Sequence, residues 1–173
     1  MSVAGLAIDA STRNPIVLLL DPSRRRQVPI WIDHAQAHHI MAGLKGLNSN
    51  NPLGHDLMIS LLDLGGLKLE KVIIHAIKDS TFQALLKINQ NPKIMGQSKE
   101  DLSSLIELKA RPSDAIALAV RSRCSIWMLE EVVAKASIPV DIEADKADQN
   151  EFKRFINDIS PASLISHFNN NED

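Results

Sequence analysis

The sequence predicts an α+β domain: a mixed or antiparallel sheet with helices packed on it, plus a C-terminal helical appendage. Three observations carry this. Apolar runs of strand length, separated by turn formers, occur at Ile16–Leu20 and Val28–Ile32, and again at Glu70–Lys78 and Thr81–Ile88. Between these pairs, His34–Lys45 and Leu57–Leu64 place apolar residues at helical spacing. Beyond residue 140 the charge turns acidic and two amphipathic stretches follow. The chain thus divides into a domain over residues 1–140 and an acidic linker with C-terminal helices over 141–173.

At 173 residues the chain is long enough for a real core, and its 45% hydrophobic and 23% charged residues suit a soluble globular protein. No apolar run reaches the roughly 18 residues that span a bilayer. Met1–Gly5 lacks the basic start and long apolar region of a signal peptide. The lone Cys124 excludes an internal disulfide framework and a multi-cysteine zinc site. A cytoplasmic protein with no membrane partner is expected. Residues 1–140 hold 16 Lys and Arg against 13 Asp and Glu, and residues 141–173 hold 3 against 8, so no strongly basic footprint exists. An aromatic share of 3%, with no Tyr, argues against a base-stacking platform. RNA or DNA would be held weakly, by few phosphate contacts.

In chain order, Val3–Ala10 alternates weakly and ends at the turn cluster Thr12–Pro15. Asp21-Pro22-Ser23 closes the first strong strand, and Arg24, Arg25 and Arg26 lie in the connection to the second. This triplet is either a solvated hairpin tip or a loop that steers phosphate. In the helix His34–Lys45, residues Ala37, Ile40, Met41 and Leu44 define the buried face. His34 and His38 stand i, i+4 beside that face, compatible with a divalent metal though not sufficient for a site, and His39 points nearly opposite it. After the polar loop Asn48–Gly54, Asp56 reads as the N-cap of a helix ended by Gly65-Gly66. Its several apolar residues, Leu57, Met58, Ile59, Leu61, Leu62 and Leu64, predict a central position.

The Glu70–Lys78 and Thr81–Ile88 hairpin turns at Asp79-Ser80, with both faces covered and His75 in the core. A loop over Asn89–Asp101 leads to a strand at Ser104–Leu108. Cys124 reads as a buried filler before a short buried strand, Ser125–Met128. Glu130 and Glu131 open a helix to about Ala136, where early carboxylates suit the helix dipole, and Ser137–Val140 breaks it. Phe152, Phe155, Ile156 and Ile159 define an amphipathic helix over Asp148–Asp158, and Leu164, Ile165 and Phe168 a shorter one from Ser160. These dock on their own domain or on a second subunit, and Asn169–Asp173 is expected to be disordered.

The stretch with most chemistry is Arg111-Pro112-Ser113-Asp114-Ala115-Ile116-Ala117, where a strand becomes an Ala- and Leu-rich helix. Proline suits the first turn, and Asp114 faces the positive end of the dipole. Arg111 can pair with Asp114, bracing the junction, or meet an anion at the free N–H groups. This stretch resembles the signature of the bifunctional nuclease domain family, and Pro29–Ile32, His55-Asp56-Leu57 and Thr81-Phe82 fall in that family's order. The likeness covers roughly residues 3–140.

The resemblance implies a metal-dependent nuclease acting on RNA and DNA, with an α+β fold and a tendency to self-associate as a dimer or trimer. On matching positions it implies His55, Asp56 and Asp114 as catalytic residues, with Asp56, Asp114, Asp79 and Glu130 as ligands for Mg²⁺ or Mn²⁺. Arg111 and Lys109, with Arg24, Arg25 and Arg26, would bind phosphate. The chain departs from the family pattern at Asn51 (usually Arg), Gly54 (usually Thr) and Lys109 (usually Asp). Lys109 in place of a carboxylate would repel a nearby divalent ion. The alternative is a non-enzymatic phosphate- or nucleotide-binding module, or a regulatory homo-oligomer, that needs no cofactor.

Overall fold

The computed structural model describes residues 1–46, 52–90, 105–140, 150, 152 and 154. The loop tips, the acidic linker and the helices expected at 148–158 and 160–168 fall mainly outside these residues. Two four-stranded sheets share one core. The first runs β1 (Ser2–Ile8), β2 (Pro15–Leu20), β3 (Arg26–Trp31) and β8 (Ile138–Pro139), all antiparallel. The second has the order β6 (Ile106–Ala110), β5 (Thr81–Gln90), β4 (Leu67–Lys78), β7 (Ser125–Met128). Its β4–β7 pair is parallel and the rest antiparallel, so the sheet is mixed. The expected α+β class is what the chain adopts.

The β4–β5 connection is a two-residue turn with Asp79 at φ 49° and Ser80 at φ 59°. Two successive positive φ values match the strand twist, and Asp is among the residues that adopt them. Register shifts at Leu69/Lys71 and Ile74/Ala76 interrupt the simple alternation that the sequence suggests. Leu69, Val72 and Ile74 are therefore buried while Ile73 and His75 are only partly covered. The edge strand β6 is exposed except at Ala110, and β7 leaves Trp127 exposed rather than buried. Edge positions explain both, since one flank of each strand has no neighbouring strand.

Three helices pack together against the sheets: α1 (His34–Leu44), α2 (Gly54–Leu64) and α3 (Pro112–Ser122). Helix α3 crosses over the β4–β5 hairpin between β6 and β7, and its Ala115–Ala119 run is fully buried. A fourth helix, α4 (Glu130–Ala136), buries Val132 and Val133. Helix α1 buries Ala37, Ile40 and Ala42, while Leu44 is exposed. Helix α2 is peripheral, not central. Its only buried residue is His55, and Leu57, Met58, Leu61 and Leu64 face outward. Phe152 is buried in the shared core, so part of the C-terminal segment docks on its own domain. No described helix is long and apolar enough to cross a membrane.

Close approach of α1 and α3 needs Gly43. A Cβ there would lie 2.9 Å from Arg121 Nη1 and 3.1 Å from Val120 Cγ1. A long side chain often yields to such a contact, but Arg121 is held by three partners, Asp56, His39 and Ala117. Gly→Ala inside a helix ordinarily stabilises by roughly 0.5–1 kcal/mol. Here Gly43→Ala is expected to lower the urea midpoint, by about 1–3 kcal/mol of overpacking. The loss should shrink in an Arg121→Leu background, where the guanidinium is gone.

Candidate active site

The site is built where the helix N-termini of α2 and α3 meet. Helix α3 begins as the sequence predicts, with Arg111 as N-cap and Pro112 at the first helical position. Arg111 Nε donates to Asp114 Oδ2 at 2.6 Å and its Nη2 to Oδ1 at 3.2 Å. This two-pronged pair fixes the guanidinium while leaving the Arg111 side chain 69% exposed. Behind it, His55 Nε2 lies 3.3 Å from Asp114 Oδ1. His55 is 7% exposed, and its Nδ1 is buried with no hydrogen-bond partner. The ring thus faces Asp114 and the interior more than open solvent, and it braces the carboxylate.

Asp56 is not the N-cap of α2, a position that belongs to Leu53. Standing two residues into the helix, it accepts the Leu53 N–H at 2.9 Å with one oxygen. Its other oxygen accepts from Arg121 Nε at 2.6 Å. Arg121 is almost buried and also donates to the His39 and Ala117 carbonyls at 2.8 and 3.1 Å. For Asp56, burial would raise the pKa, but the hydrogen bonds from Arg121 and Leu53 and the charge of Arg121 outweigh it and lower it. For Asp114, burial again acts upward, and Arg111 with His55 carries the net shift below the ordinary carboxylate value.

Sequence reasoning passed over His39. It does not point away from the site: its ring centroid lies 5.0 Å from that of His55, edge-on. Burial lowers its pKa, helped by His55, His38 and Arg121 and opposed by Asp114, so the imidazole is neutral at pH 7. Partly exposed and neutral, it is the imidazole here able to take a proton. The signal that could have found it is the helix α2 start, which turns His55 inward against α1. Of the expected His34–His38 pair, His38 packs edge-on against His39 with centroids 6.1 Å apart, and both His34 and His38 are exposed.

The other predicted residues do not join. Glu130 is taken by Arg26, whose Nη1 donates to it at 2.8 Å. Asp79 forms the exposed tip of the β4–β5 turn. Arg24 and Arg25 are exposed at the start of β3. Arg111 adjoins the other end of that strand, about 17 Å away by strand rise. Lys109 is exposed on β6 opposite Leu85. Cys124 is half-buried, and burial pushes its thiol up to about 11, so it is no nucleophile. Among the described residues no three His, Cys, Asp or Glu are placed to hold a metal ion. Of the four expected metal carboxylates, Asp56 and Asp114 each accept from an arginine within the site, while Asp79 and Glu130 lie outside it.

Beside Arg111 a groove of about 280 Å³ opens between the end of β3, the β4–β5 turn and the start of α3. Trp31, Gln36, Thr81, Phe82 and Ser113 line it with Arg111.

An α+β domain with a braced, exposed arginine at a strand-to-helix junction is the class that this geometry defines. The model of the bifunctional nuclease domain matches residues 17–141, and the chain belongs to that family. It is also similar to two uncharacterized proteins of Mycobacterium tuberculosis, one from strain CDC 1551 / Oshkosh and one from strain ATCC 25618 / H37Rv. Each is 29% identical over 167 residues, covering 92% of this chain and 93% of the relative.

The two ends of the Asp56–Arg121 pair differ in exposure, 37% against 8%. Asp56→Ala strands a buried guanidinium and is expected to cost about 3 kcal/mol. Arg121→Leu leaves a carboxylate that water can reach, and should cost less in the same denaturant titration. Because the folded pKa values of Asp56 and Asp114 are lowered, their contribution is complete above the unfolded value. The urea midpoint should therefore fall as pH drops below about 4.

Proposed function

We propose that this chain is a nuclease that captures RNA or DNA at Arg111. The observation that supports this is the guanidinium itself: exposed, yet fixed in one orientation by Asp114, which His55 fixes in turn. A planar, pre-oriented fork suits a phosphodiester's two free oxygens, and the lost side-chain entropy is already spent. The family match supports cleavage as the outcome. In this reading Arg111 holds the phosphate and offsets the negative charge on its oxygens. His39 accepts a proton from the attacking water as the opposite P–O bond breaks, and the leaving alkoxide takes a proton from solvent; Asp114 and His55 are positioning residues.

A divalent ion, if one is used, would share Asp114 with Arg111 and Asp56 with Arg121, through the carboxylate lone pairs that those arginines leave open. The same arginine-bound carboxylates favour a second reading, a phosphate-binding module without turnover. Self-association is part of the proposal too, supported by the outward Leu57, Met58, Leu61 and Leu64 of α2. Leu61→Glu with Leu64→Glu is expected to reduce the solution mass measured by light scattering; an unchanged mass would remove α2 from the interface.

The main test is time-resolved cleavage of labelled single-stranded RNA and DNA, with Mn²⁺ or with EDTA. Arg111→Ala should weaken strand binding at least tenfold, and His39→Ala should lower kcat with binding unchanged. The wild-type rate should rise with pH through a value below the ordinary histidine 6.5, because His39 acts when neutral. Binding without cleavage would favour the second reading, and cleavage indifferent to Arg111→Ala would sink the site. Cleavage abolished by EDTA would show that a metal is required and would overturn a mechanism carried by Arg111 and His39 alone.

A further inference from the structure

We propose that the groove beside Arg111 is a subsite for one unstacked nucleobase, with Trp31 as its stacking surface. This rests on the reading of Arg111 as the phosphate anchor, and it narrows the substrate to single-stranded nucleic acid. Trp31 ends β3, where strand alternation turns it outward, and it is 54% exposed. An exposed indole is usually mobile and leaves its N–H to water. Here Nε1 donates to Asp9 Oδ2 at 2.8 Å, so the ring is pinned.

Asp9 is itself held. Its Oδ1 accepts the Ser11 hydroxyl at 2.6 Å and the Ser11 and Thr12 N–H groups, each at 2.9 Å. The tight turn after β1 thus serves to orient one aromatic face. Half-buried Phe82 lines the same groove, as do Thr81, whose hydroxyl donates to the Asp79 carbonyl and can still accept, and Gln36, whose Oε1 accepts the Asp33 N–H and whose amide NH₂ can still donate.

Charge and size select the occupant. Arg111 on the rim supplies the complement to a phosphate, and the apolar lining suits the faces of a base. At about 280 Å³ the groove falls below the roughly 300–1,000 Å³ of sites for drug-sized ligands. It is large enough for one planar ring. A base inside a duplex cannot present its face, so it must already be unpaired or leave the stack.

Trp127 is the other tryptophan of the chain, on edge strand β7 in the second sheet. The full chain carrying Trp127→Phe therefore reports Trp31 fluorescence alone. Three phosphorothioate DNA probes are titrated against it: a single-stranded hexamer, an abasic hexamer with the same phosphates, and the hexamer held in a duplex stem by a hairpin loop. The single strand should quench Trp31 and bind about five- to a hundredfold more tightly than the other two, the range for one base stacked on one aromatic. These variants carry no reporting tryptophan, so their binding is followed by the fluorescence anisotropy of dye-labelled probes: Trp31→Ala should erase that preference, and Trp31→Phe, which keeps a ring, should retain most of it. Equal binding of the single and abasic strands overturns the subsite while leaving phosphate capture at Arg111 intact. So does a preference that survives Trp31→Ala. If no hexamer binds and Arg111→Ala changes nothing, the reading of Arg111 fails and the subsite fails with it.

Discussion

The arrangement of the helices depends on one buried cation. Arg121 sits on α3, reaches the Asp56 carboxylate on α2 and donates to the His39 carbonyl on α1. A buried guanidinium is costly unless its charge and its donors are matched, and here a carboxylate and two carbonyls match them. That requirement sets the spacing of all three helices. It also explains the absence of a side chain at Gly43, where α1 must pass close to the guanidinium.

The site follows from that spacing. Once Arg121 fixes Asp56, the preceding residue, His55, is carried inward against Asp114 and the ring of His39. Asp114 then orients Arg111, which faces solvent. Order passes from a buried ion pair to an exposed one through a buried imidazole. The two aspartates that invite a metal-site reading are each bound to an arginine. Rigid support of an exposed charged group is what a binding site needs, since the cost of ordering is met during folding.

The same logic runs through the first sheet. Arg26, expected among phosphate-binding residues, is paired with Glu130 and lies near Asp21. Asp21 caps the β2–β3 turn by accepting the Arg25 and Arg26 N–H groups. Those groups stabilise the junction of β3 with α4. Trp31 and Arg26 bound β3, so one short strand carries a structural charge pair at one end and an outward aromatic at the other.

The sequence by itself determined the α+β class, the hairpins, the start of α3 and the roles of Pro112 and Asp114 there. It also carried the family signature at Arg111–Ala117. These are local matters, decided by periodicity, turn chemistry and capping within a few residues. It misplaced α2 in the core because apolar spacing shows that a face exists, not what covers it. It set His39 aside and did not pair Glu130 with Arg26, because a partner 104 residues away leaves no local trace. Asp56 and Arg121, 65 residues apart, meet only when three helices converge. Only the tertiary structure could decide that both carboxylates are neutralised by arginine, since a charge's partner is fixed by packing.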